Sequence, residues 1–149
     1  MMLNKVKTRG KIMKLKDHMA HLAKAFELRD PLEEESEGVF ALPIDANRAV
    51  TIAETDTGFS LSCTVAQCPA QGREELFTQL LYADLFGQGT HGFLLGLNEE
   101  GSEITLSYDC HHELDLEEFE YMIDDFTDMV DFWEEETKNY GPRAKNTPF

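Results

Sequence analysis

Three cysteines and two adjacent histidines are the side chains of this sequence whose types could support metal binding or nucleophilic catalysis. Cys63 and Cys68 have four residues between them, and Cys110 is followed directly by His111 and His112. A closed zinc site needs four ligands that converge on one tetrahedral point, whereas adjacent histidines on a strand point to opposite faces. The sequence shows no group that would orient a Cys–His pair and no oxyanion hole. We therefore expect no metal site and no enzymatic activity.

The glycine cluster FGQGTHG, residues 86–92, contains a formal match to the dinucleotide-binding pattern GxGxxG. In a dinucleotide-binding fold a strand precedes the glycines and a helix follows them, so that the helix N-terminus receives the pyrophosphate. Here a helical pattern precedes the glycines and a strand pattern follows. The cluster therefore predicts the end of a helix, with Gly87 at its C-terminal cap, and no nucleotide cofactor.

Charge is unevenly distributed along the chain. Residues 1–29 carry a net charge of +6 and residues 30–149 a net charge of −22, for a total of −16. So acidic a body repels nucleic-acid phosphates and anionic lipids, and no apolar stretch approaches the ~18 residues that span a bilayer. The sequence has an odd number of cysteines and no pattern of a secretory signal. We expect a cytoplasmic protein that binds neither nucleic acid nor membranes.

The first half of the chain has the pattern of one helix followed by three strands. Apolar residues spaced by three and four predict a helix over residues 13–28, ended by Asp30-Pro31, and the acidic run EEESEG is expected to be a loop. The third strand alternates strictly between apolar and small polar residues, which indicates one buried face. The strands are predicted over residues 39–44, 48–54 and 58–66.

The second half adds a helix, two strands and a closing helix. The helix over residues 73–86 is apolar around much of its circumference and must pack on two sides; in so small a domain the second side is often another subunit. Strands over 92–97 and 103–108 are joined by a turn in which Gly101 takes a positive φ. The last helix opens at Asp115, with Glu118 as its partner in a capping box. The order α-β-β-β-α-β-β-α with short links predicts an α+β fold, a twisted antiparallel sheet flanked by helices.

The segment LLYADLFGQGTHGFLLGLNEEGSEITLSY resembles the one shared by class I type III secretion chaperones, the Tir chaperone (CesT-like) family. In that family a helix ending in a pattern like LLxANLF leads through small residues into a strand LGL, a polar hairpin and a strand LxL. The likeness extends over residues 13–136, but Asp84 stands where the family often has Asn, and His91 interrupts the small residues. The matching residues are Leu80, Leu81, Ala83, Leu85, Phe86, Gly87, Gly92, Leu95, Gly96, Leu97, Gly101 and Leu106.

The resemblance implies a homodimeric chaperone that binds the N-terminal chaperone-binding segment of a secreted effector. Binding would keep that segment soluble, non-globular and competent for export, and a component of the secretion apparatus would be a further partner. The dimer interface is expected on the second helix and the hairpin after it. Its expected residues are Phe77, Leu80, Leu81, Asp84, Leu85, Phe93 and Leu95.

The apolar stripe of the first helix allows two interpretations. It is either ordinary core, or part of an exposed groove that it forms with a strand face. The resemblance favours the groove, because these chaperones use first-helix and strand surfaces to hold an extended client. The expected client-binding residues are Met19, Leu22, Phe26, Val39, Phe40, Leu42 and Ile44.

Two other functions stay open at this point. One is a regulatory or protein-interaction module of the same fold, and the other is an acidic mimic of nucleic acid that occupies a basic protein. In domain terms, we expect a disordered basic arm over residues 1–12, the chaperone-like domain over 13–136 and a flexible tail over 137–149.

Overall fold

A computed structural model describes residues 14–29, 32, 34–85 and 92–138. In these ranges the chain forms three helices and six strands. The strands form one antiparallel sheet in the order β1-β2-β3-β4-β6-β5, which confirms the predicted α+β fold. The elements are α1 (Leu15–Ala25), β1 (Glu34–Ser36), β2 (Val39–Pro43), β3 (Ala49–Glu54), β4 (Phe59–Gln67), α2 (Arg73–Leu85), β5 (Leu94–Leu97), β6 (Glu103–Cys110) and α3 (Leu116–Thr137).

Helix α1 is shorter than its apolar pattern predicts. It ends because Glu27 takes a positive φ of 53°. The N–H of Leu28 then donates to the carbonyl of Ala23, and the N–H of Glu27 to that of Lys24. These two hydrogen bonds form a Schellman motif with glutamate in the position that glycine usually occupies. No side-chain pattern in the sequence indicates the positive φ of Glu27, so the sequence does not predict this helix end. The stop predicted at Asp30-Pro31 lies outside the described residues.

The acidic run predicted as a loop contains strand β1, which sequence reasoning missed. β1 pairs antiparallel with β2 at the edge of the sheet, and its three side chains are all exposed. An edge strand with no buried face has no alternating pattern, and charged residues are typical of edges that avoid aggregation. Only its backbone pairing defines it as a strand.

The two strongest patterns in the sequence are confirmed. Every second residue of β4, from Phe59 to Val65, is buried. At the start of α3 the N–H of Glu118 donates to Oδ1 of Asp115 at 2.8 Å, and the N–H of Asp115 donates to Oε1 of Glu118 at 2.9 Å. This reciprocal pair is the predicted capping box, which satisfies backbone donors that the first turn leaves free.

The turn between β5 and β6 is also as predicted. Gly101 has a φ of +70°, and its N–H donates to the carbonyl of Asn98 at 3.0 Å. The side-chain oxygen of Asn98 accepts from the N–H groups of Ser102 and Glu103. Arg73 of α2 donates to the carbonyl of Gly101 at 2.6 Å, so the start of α2 is fixed to this turn.

The described chain divides into two compact units, each with an aromatic cluster. The first unit contains the described residues up to Leu61 together with Asp109–Asp125, and the second contains Ser62–Tyr108 with the residues from Phe126 onwards. In the first unit the His18 ring stacks on Phe119, with centroids 4.4 Å apart. In the second, Phe93 lies edge-on against Tyr108 and Phe126.

Candidate binding surfaces

Helix α2 and strand β5 leave an apolar surface open in the second unit, which we call the α2–β5 patch. Leu81 is 60% exposed and Leu97 is 45% exposed, although side chains of this size are usually buried. Between them lies a shallow depression of about 190 Å³. Its lining residues are Phe77, Leu80, Leu81, Leu95, Gly96, Leu97 and Ile104.

The local sequence explains why this surface stays uncovered. Leu76 and Leu80 point inward and are buried, while Leu81 and Tyr82 continue the apolar character onto the outer side of α2. β5 is the last strand of the sheet order, so one side of its backbone lacks a strand partner in the described chain. An apolar helix face beside an unpaired strand edge is typical of an interface with another polypeptide.

The residues predicted for the dimer interface divide between this patch and the core. Leu81 is exposed, and Phe77 and Leu95 are half-buried. Leu80 and Phe93 are buried, although Leu80 still contributes to the lining of the depression. The side chains of Asp84 and Leu85 lie outside what the structure describes. The prediction of an interface itself stays a prediction.

The residues predicted for client binding also divide. Four of them are buried in the core of the first unit and in this structure have no surface to offer a client: Met19, Leu22, Phe40 and Leu42. For Met19 and Leu22 this agrees with the interpretation of the α1 stripe as ordinary core. Phe26 is 39% exposed, and Val39 and Ile44 are half-buried. The three side chains of this second group, together with the β1 edge, are what remains accessible of the predicted groove.

In the part of the chain that the structure describes, the cysteines and the adjacent histidines do not form a metal site. Cys63 and Cys110 are buried thiols, and the thiol of Cys110 lies 3.3 Å from the carbonyl oxygen of His112. His111 and His112 are exposed, and His111 forms a 3.0 Å hydrogen bond with Thr57. Within the described ranges, no group of three or more His, Cys, Asp or Glu side chains could hold a metal ion.

A second concave site, of about 780 Å³, lies in the first unit. It is bordered by the start of α1, the turn between β3 and β4 and the segment that leads into α3; we call it the α1 cavity. Sequence reasoning missed it because its residues come from three distant segments with no common spacing. The lining residues are Lys14, Leu15, His18, Glu54, Thr55, Asp56, Thr57, Gly58, Phe59, His111, His112, Glu113 and Leu114.

His18 is the buried polar residue of the α1 cavity. It is 4% exposed, and its Nε2 donates to the carbonyl of Leu114 at 3.1 Å. The opposite ring nitrogen, Nδ1, is buried without a hydrogen-bond partner. Burial lowers the pKa of His18 below 6.5, against the opposing effect of the bond to Leu114. At neutral pH the ring is therefore uncharged, and Nδ1 carries an unused lone pair.

The fold, with apolar surface left open beside α2 and β5, is that of a polypeptide-binding chaperone. The model of the Tir chaperone protein (CesT) family matches residues 18–134, and the chain belongs to this family. No curated protein matches the sequence. None of the helices in the described part of the chain is long and apolar enough to cross a membrane.

Three solved complexes contain chains of similar fold. The first is the ExsC–ExsE complex, with a TM-score of 0.65, 22% identity, and coverage of 84% of this chain and 94% of that chain. A chain of the HopA1–SchA chaperone–effector complex gives a TM-score of 0.60 at 17% identity, covering 81% and 93%. The ExoU–SpcU heterodimer from the type III secretion system of Pseudomonas aeruginosa gives 0.59 at 10% identity, covering 83% and 94%. At these identities the likeness is one of fold.

Proposed function

We propose that this protein is a type III secretion chaperone of the bacterial cytoplasm. It binds the N-terminal chaperone-binding segment of an effector and keeps that segment soluble, non-globular and competent for export. Membership in the Tir chaperone protein family supports this function. The observation that carries it is the presence of large exposed apolar side chains, Leu81, Leu94 and Phe26 among them, on a chain whose net charge is −16. Charge keeps such a chain soluble, and exposed apolar side chains do not add to solubility. We therefore assign them to binding.

The two edges of the sheet differ, which suggests a different occupant for each. The β5 edge is apolar and adjoins the open face of α2, and we assign it to a second copy of the chain. The β1 edge is acidic and lies on the first unit with Phe26, Val39 and Ile44, and we assign it to the client. The client would add a strand to the backbone of β1 and place apolar side chains against these three residues.

Replacement of Phe26 by aspartate tests the client surface. Phe26 is partly exposed at the end of α1, so Phe26→Asp leaves the core intact. A desolvated carboxylate in the client interface would cost about 2–5 kcal/mol, and the effector should no longer co-purify. The buried Phe40 cannot serve for this test, because an aspartate there would unfold the chain.

Phe132→Asp is the matched control, because Phe132 is similarly exposed but lies in the second unit. It should leave co-purification unchanged. Retention of the effector by Phe26→Asp would place the client surface elsewhere. If Phe26→Asp retains the effector at low salt but loses it at high salt, the acidic-mimic function is favoured, because salt screens contacts between exposed charges.

A further inference from the structure

Helix α1 is attached to the first unit by an apolar face and by a side-chain hydrogen bond. Its buried residues are Leu15, His18, Met19, Leu22 and Ala23. Nε2 of His18 donates to the carbonyl of Leu114, just before α3, at 3.1 Å. The ring stacks on Phe119, which lies edge-on against Phe59 of β4. The contact therefore joins α1 to α3 through uncharged rings, with His18 as its polar member.

The position of His18 suits a neutral ring and not a charged one. Because the proton lies on Nε2, Nδ1 is the basic nitrogen, and it has neither accessible surface nor a hydrogen-bond partner within the described ranges. A proton added at Nδ1 would bury a positive charge and an unpaired donor, which is costly. Protonation therefore favours any state in which the ring reaches water.

The charges around His18 do not reverse this preference. Burial has the largest effect and lowers the pKa of His18 below 6.5, while the bond to the Leu114 carbonyl raises it. Among the charged neighbours, His21 lowers the pKa of His18, and Asp17 and Asp115 raise it. The other titratable groups that border the α1 cavity are exposed, so solvent screens them: Lys14, Glu54, Asp56, His111, His112 and Glu113.

The start of α1 is held less firmly than the start of α3. In the described chain the N-cap residue, Lys14, forms no side-chain capping hydrogen bond, and a cation at this end opposes the helix dipole. Detachment of α1 also breaks no backbone pairing of the sheet. An element at the edge of the cooperative core can open while the rest of the chain stays folded.

We propose that His18 makes the docking of α1 sensitive to acid, so that protonation of its ring promotes local opening of α1 while β4 and α3 stay folded. Phe26 is the C-cap residue of α1 and would move with the helix. One consequence rests on the proposed function: the client surface at Phe26 is most complete when the ring is neutral.

Hydrogen exchange of the free chain at pH 7.5 and 5.5 tests this proposal. Protection factors, which remove the intrinsic effect of pH on exchange, should be lower in α1 than in β4 and α3. In α1 they should fall on acidification by up to about tenfold, the most that one proton with an open-state pKa of 6.5 allows over this interval. Protection of α1 equal to that of β4 and α3 would show that α1 opens only with the whole chain, and no fall in α1 would show that acid does not act on it; either result would overturn the proposal.

His18→Phe assigns the effect to this side chain. It retains an aromatic ring beside Phe119 but has nothing to protonate, so its α1 amides should keep at pH 5.5 the protection they have at pH 7.5. His21→Phe is the control, because His21 is exposed on the same helix, and most of the fall should remain. A fall in His18→Phe as large as in the wild type would overturn the role of His18.

An NMR titration of the wild type provides the same test without a variant. The ring signals of His18 and the amide signals of α1 should change with the same midpoint pH, below 6.5, and separate midpoints would overturn the proposal. Both experiments use the free chain. Failure to capture an effector would therefore contradict the proposed function alone, and an acid-insensitive α1 would contradict this inference alone.

Discussion

At the scale of single residues, His18 should make stability depend on pH. Its pKa is lower in the folded chain than the unfolded value of 6.5, so on acidification the unfolded chain binds the proton first. The stabilisation is fully present above about pH 6.5 and is lost as the pH falls towards the folded pKa, with a slope of at most about 1.4 kcal/mol per pH unit.

Urea unfolding at pH 7.5 and 5.5 measures this effect. His18→Phe should lose less free energy of unfolding between the two pH values than the wild type does. His21→Phe is the control, because His21 is exposed on the same helix and lowers the pKa of His18 less than burial does; this variant should keep most of the wild-type pH response. An identical pH response in His18→Phe and the wild type would contradict the account of a buried neutral imidazole.

Gly58 should contribute to stability because it allows two backbone segments to approach closely. A Cβ at this position would collide with the carbonyl oxygen of Cys110. Gly58→Ala should therefore lower the free energy of unfolding by about 1–3 kcal/mol. Ala46→Ser is the control, since Ala46 is exposed in the turn between β2 and β3, and thermal unfolding should show a change within about 0.5 kcal/mol. Equal effects of the two substitutions would refute the steric explanation.

At the scale of elements, the capping box should stabilise the first turn of α3. Asp115→Ala removes one side of the reciprocal pair with Glu118 and should cost about 1 kcal/mol. Glu117→Ala, in the same first turn, should cost less, because the capping pair does not include it. Hydrogen exchange of the first turn of α3 would measure the difference, and similar protection in both variants would count against the cap.

What the sequence could predict also differs by element. β4 and α3 were predicted because alternation and helical spacing extend over many residues, and α3 also carries its cap in its own side chains. The end of α1 and the existence of β1 depend on the φ of Glu27 and on backbone pairing with β2, which side-chain patterns do not encode. The α1 cavity has the same origin, because only the fold brings its three segments together.

For the predicted binding surfaces, apolar patterns alone did not separate core residues from interface residues. Leu81 was predicted for an interface because α2 is apolar all round, and it is exposed. Phe40 and Leu42 were predicted for the client on the strength of family resemblance, and they lie in the core. An apolar pattern on a strand identifies a buried face, but it does not say whether the cover is the chain's own helix or another molecule.

At the scale of the whole molecule, the α2–β5 patch should hold two copies together. If the same patch of two copies meets, the interface is symmetric, and Leu81→Glu would place an unpaired carboxylate in it twice. Light scattering of the purified variant should show a monomer. Thr78→Glu places the same charge on an exposed position of α2 outside the depression and should remain dimeric. A dimer unchanged by Leu81→Glu would move the interface elsewhere.

The central claim is that this chain holds its client without letting it fold. Hydrogen exchange of the effector's N-terminal segment within the purified complex tests it most directly. We predict fast exchange over most of the segment and protection only in short stretches, where it pairs with a sheet edge or lies against apolar surface. Slow exchange throughout, as in an independently folded domain, would contradict the account.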